Sequence, residues 1–167
     1  MIISNSNSDS QLQSQFIPDD LFTEIVASMP IVTTDLVLIN EDKEQILLFK
    51  RTNKPAQDIY FTPGGRLWKN EEFLQGIKRQ GQRELGLSLD ESRLSWGGVI
   101  NEMWADSEFA DHSYNAISIF WRYLISETEL QSLALDEQHC DYQWFDFNDD
   151  LLHPYICYRL KTLNYIE

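Results

Sequence analysis

Between the apolar run Ile59-Tyr60-Phe61-Thr62 and the amphipathic stretch Glu71 to Leu85 stands the tripeptide Pro63-Gly64-Gly65. Proline has no amide hydrogen to give a sheet, so it stops the β-like run there. The following stretch carries Phe73, Leu74, Ile77 and Leu85 at helical spacing and stops at Gly86, which predicts a helix with a left-handed C-terminal residue. A strand, a glycine turn and a helix in immediate succession require a sheet with a helix packed on it.

The rest of the chain extends that pattern. Asp19 or Asp20 caps a predicted helix through Ser28, and Pro30 ends it. Ile31 to Asn40 and Gln45 to Arg51 read as a hairpin across the turn Glu41-Asp42-Lys43-Glu44. Further β-like runs lie at Leu94 to Met103, Ala116 to Ile125 and Tyr142 to Phe147, and Leu151 to Tyr165 reads as a closing helix. The expected fold is α+β, a sandwich of a mixed β-sheet between flanking helices. Residues 1 to 15, polar and serine-rich, are expected to be a disordered leader to a single domain over residues 16 to 167.

Charge restricts the partners. A formal net charge of -14 argues against nucleic acid, whose binding needs clustered Lys and Arg. A phosphorylated small molecule then needs local arginines and a divalent cation to reverse the field at its site. Cys140 and Cys157 show neither CxxC nor zinc-ligand spacing, which fits a reducing cytoplasm. No apolar stretch has the length of a signal peptide or a membrane span.

Gly65, Glu71, Arg79, Glu84, Gly86 and Leu87 fall in the order and spacing of G-x5-E-x7-R-E-U-x-E-E-x-G-U, where U is apolar. The segment thereby resembles the Nudix box and implies a Nudix-like α/β/α sandwich. Gln80, Gly81 and Arg83 depart from it, standing where the box has Glu, an apolar residue and Glu. Gln80 and Glu84 share a helix face, so losing the carboxylate at 80 depletes the metal-binding face directly. Several bridged magnesium ions are not expected. The plainer reading, an amphipathic helix after a glycine turn, leaves Gly76 and Gly81 unexplained, each costing about 1 kcal/mol against Ala.

A box depleted in this way resembles that of the GDP-mannose mannosyl hydrolases. So do IPDDLFTEIVASMPIVTTDLV at 17 to 37, KRTNKPAQ at 50 to 57 and DEQHCDY at 136 to 142. The resemblance implies one magnesium ion held by the carbonyl of Gly64, the carboxylate of Glu84 and the amide oxygen of Gln138, oxygen donors suited to a hard cation. It implies that Arg51 and Arg66 bind the departing diphosphate and that His139 is the general base toward water, a role suited to a side chain that titrates near neutrality. It gives Asp35 to the substrate site and implies a homodimer. The family's His-Tyr pair before the Ala116 run is here His112-Ser113-Tyr114-Asn115, which leaves the sugar open.

The chemistry implied is attack of water on the sugar's C1, with inversion, releasing GDP and a free hexose from GDP-mannose or GDP-glucose. The alternatives are a Nudix pyrophosphatase, which attacks phosphorus, and a non-catalytic nucleotide-sugar sensor.

Overall fold

The computed structural model describes residues 17–109, 112–135 and 139–167. Chain order is α1 (Asp19–Ser28), β1 (Ile31–Asn40), β2 (Gln45–Arg51), β3 (Tyr60–Phe61), β4 (Gly64–Arg66), α2 (Phe73–Leu85), a 3-10 turn (Glu91–Arg93), β5 (Leu94–Trp104), β6 (Tyr114–Leu124), α3 (Glu127–Gln131), β7 (His139–Asp146) and α4 (Pro154–Thr162). The expected leader lies outside the described residues.

The sheet is mixed. β1 runs parallel to β6, and the β1–β2, β2–β7 and β5–β6 pairs are antiparallel. Both faces are covered, which explains why β1 and β2 read as nearly continuous apolar runs. Val37, Ile39, Ile46 and Leu48 share one core with Ile156 and Leu160 of α4. Leu36, Leu38, Leu47 and Phe49 share the other with Ile77 and Leu85 of α2. The period-2 alternation of a strand distributes neighbouring residues to opposite cores, and the α/β/α sandwich follows.

β1 and β2 pair through Leu38↔Leu47, Ile39↔Ile46 and Asn40↔Gln45 and then part. Into the opening come β3, paired with β2 at Phe49↔Phe61, and β4, paired with β1 at Asp35↔Gly64. Pro63 does stop β3, yet its carbonyl accepts a hydrogen bond from the Leu36 amide at 2.9 Å, and the glycines after it form a strand the sequence did not announce. The proline thus transfers the chain from one strand partner to the other.

Element ends differ in several places. Glu71 lies outside α2, whose N-cap is Glu72 in a reciprocal capping box with Gln75. β6 and β7 begin earlier, at Tyr114 and His139, and the closing helix is shorter, with His153 as N-cap and Pro154 at its first position.

Candidate active site

The opening between β1 and β2 holds a cleft of about 240 Å³ whose lining includes Asp35, Arg51, Gly64, Arg66, Arg83 and Glu102. Four predicted site residues, Asp35, Arg51, Gly64 and Arg66, are thus brought to one cavity. Arg51, at the end of β2, is held by its own loop, its Nε donating to the Pro55 carbonyl at 2.9 Å and its Nη2 to Asn53 Oδ1 at 2.8 Å. Arg66 ends β4, and burial, followed by repulsion from Arg79, lowers its pKa. A guanidinium disfavoured in this way gains from an incoming anion.

The loop between β4 and α2 is fixed by Glu71. Its carboxylate accepts both Nε and Nη2 of Arg79, at 2.6 and 2.8 Å, and the Trp68 amide at 2.9 Å. Arg79 also donates to the Arg66 carbonyl at 3.0 Å, with its guanidinium carbon 3.9 Å from the centre of the Trp68 ring. These two box residues tie loop to helix. Gly76 admits the loop itself, since a Cβ there would lie 2.6 Å from Leu67 Cδ1.

Glu84 is fully buried on α2, and its Oε2 accepts the Gly64 amide at 2.8 Å. Gly64 has no room for a side chain, because a Cβ would lie 2.2 Å from Asp35 Oδ1 and 2.6 Å from the Thr34 carbonyl. One carboxylate and one bare backbone turn therefore meet at the cleft, a donor set that fits a single hard cation whose remaining positions go to substrate oxygens and water. Gln80 is also buried, with its amide beside Gly65, and neither of its amide atoms has a hydrogen-bond partner among the described residues. Being neutral, it does not replace the carboxylate that the box has there. No cluster of three or more His, Cys, Asp and Glu suited to a metal occurs among the described residues. Gln138, the third predicted ligand, lies outside them.

His139 opens β7 opposite Arg51. It is 4% exposed, with its ring edge-on to Phe49 at 5.6 Å between centroids, and it is not among the residues that line the cleft.

Two functional candidates were missed in the sequence. Arg159 of α4 is fully buried, and its Nη2 donates to Asp35 Oδ2, to Glu102 Oε1 at 2.6 Å and to Ser118 Oγ at 3.1 Å. Asp35 Oδ2 also accepts the Ser118 hydroxyl at 2.8 Å. Burial raises the pKa of Asp35, with Arg159 opposing, and pushes Glu102 up to about 7. Two carboxylates share one cation in the cleft wall. Glu102 in an alternating strand and Arg159 in an amphipathic helix look like solvated positions until the two elements face each other. Tyr114 also lines the cleft, where burial raises its phenol pKa.

A sheet opened by a strand switch, with a glycine turn and a helix-borne glutamate at the opening, defines a Nudix-type site. The NUDIX domain family model matches residues 29–156, and the chain belongs to that family. It is 34% identical over 151 residues to the low-salt glycan biosynthesis protein Agl8 of Haloferax volcanii, covering 89% of this chain and 91% of that one. The fold is shared with a MutT NUDIX hydrolase of Burkholderia pseudomallei at TM-score 0.65 and 20% identity, over 81% of this chain and 99% of that one. It is also shared with the NUDIX domain of Shewanella oneidensis NrtR, solved with ADP ribose, at TM-score 0.62 and 16% identity, over 82% and 88% of the two chains. Among the described residues no helix is long and apolar enough to cross a membrane.

Proposed function

We propose that the protein hydrolyses a GDP-sugar, GDP-mannose or GDP-glucose, to GDP and free hexose, with water attacking the sugar's C1 from the face opposite the diphosphate. The observation that carries this reading is a box helix that keeps Glu84 but lacks the carboxylates at 80 and 83, set against a cleft with Arg51 and Arg66 in its lining. Activating water for attack on phosphorus is the work of a box rich in metal carboxylates, whereas departure of a diphosphate needs mainly positive charge on the leaving group. The glycan-biosynthesis name of the Haloferax relative agrees with a nucleotide-sugar substrate.

His139 takes the proton of the attacking water as the new C1–O bond forms with inversion. The old C1–O bond breaks, and its electron pair goes to the diphosphate oxygen held by Arg51 and Arg66. Asp35 faces the sugar, orienting it and stabilising positive charge developing at C1. Gly64, Glu84 and Gln138 would hold magnesium, which when bound supplies charge to the departing diphosphate.

Turnover of GDP-mannose with magnesium in oxygen-18 water checks the bond cleaved. GDP with the label in the hexose is the expected result. GMP with the label on phosphate would assign the protein to pyrophosphatase chemistry, and binding without turnover would make it a sensor. Glu84→Gln is expected to weaken magnesium binding by at least the roughly 10- to 100-fold that losing an outer-shell partner costs, measured by isothermal titration, with the fold retained. Unchanged affinity in that variant would remove Glu84 from the metal site.

A further inference from the structure

Arg83 stands where the ordinary box has a glutamate, and its side chain enters the same cleft as Arg51 and Arg66. Its Nη2 donates to Glu84 Oε1 at 2.8 Å and would lie 3.3 Å from a Cβ placed on Gly65. The guanidinium therefore sits over the glycine turn, beside the Glu84 carboxylate, with its side chain 46% exposed. Arg83 thus adds a third guanidinium to the lining of a cleft on a protein of net charge -14.

We propose that Arg83 is a diphosphate-binding residue, a third guanidinium occupying the place that the ordinary box gives to a metal-binding carboxylate. The inference rests on the diphosphate reading of the cleft. A glutamate at this position brings positive charge indirectly, by holding another cation, whereas Arg83 brings it as part of the chain and offers a planar donor fork that matches phosphate oxygens. The same group holds Glu84 Oε1, while Oε2 accepts the Gly64 amide, so a diphosphate that engages Arg83 draws it from the carboxylate and makes Oε1 available to a cation. Anion and cation would then assist each other's binding. A purely local role is also available to a basic residue in the last turn of α2, where it complements the helix dipole. Lysine would serve that role equally well.

Inorganic pyrophosphate, titrated calorimetrically into the whole protein in EDTA, separates the two roles. Arg83→Ala and Arg83→Gln are each expected to lower its affinity by about 10-fold or more, the range for losing a hydrogen bond to a charged group. Arg83→Lys should recover only part of it. Wild-type affinity in the Ala and Gln variants, or full recovery by Lys, would overturn the proposal. Because the titration involves no bond cleavage, it stands apart from the oxygen-18 result. Label on phosphate together with an Arg83-dependent pyrophosphate site would discard attack at carbon and keep this residue's role.

Discussion

Replacing Arg159 with Met lowers the unfolding free energy by about 3–5 kcal/mol at pH 8, the expected loss when a buried ion pair is broken from one side. The guanidinium is the shared partner of Asp35 and Glu102, and its removal leaves two carboxylates in a wall that disfavours their charge. The loss should be smaller at pH 5. Glu102, with its pKa raised from 4.5 to about 7, already carries a proton there, and neutral carboxyls tolerate burial. Urea unfolding at the two pH values provides the measurement, and a loss of equal size at both would contradict the shared-charge account. Linkage gives the sign for the wild type. The folded state binds the Glu102 proton more tightly than the unfolded chain, so this contribution is full below about 4.5 and disappears as pH rises through about 7. Glu102→Gln should flatten that part of the stability profile.

His139→Gln is expected to lower turnover by about 10²- to 10⁴-fold, the usual contribution of a positioned general base. Turnover should fall in the variant while GDP binding stays close to the wild type. A variant with wild-type turnover would remove His139 from the proton transfer. The prediction is demanding because the ring is 4% exposed and packed on Phe49. Its backbone pairing with Arg51 nevertheless places it at the cleft's edge, and catalytic contacts are often completed only with substrate bound.

What the sequence made legible was whatever depends on residues close together along it. The glycine turn and the box helix follow from local spacing, as does the β1–β2 hairpin. β4 was not legible because its pairing depends on β1 and β2 parting, which no local pattern encodes. Arg159 and Glu102 escaped for a related reason: each occupies a position whose local periodicity gives no hint of a buried ion pair, and only the packing of α4 against the strands beneath the cleft brings them together. Arg83 was visible only as a departure from a pattern. The cleft gives that departure a place beside Glu84.

The ion pair also says something about how the fold is assembled. In chain order α4 follows all seven strands, so during synthesis the sheet emerges before the cation that compensates Asp35 and Glu102. Until Arg159 arrives, the nascent cleft carries acidic groups that are tolerable only in contact with solvent, and the strands bearing them have reason to stay hydrated there. The last helix of the chain thus carries the cation that compensates both acids, and a chain stopped before Arg159 would leave that wall acidic and in need of solvent.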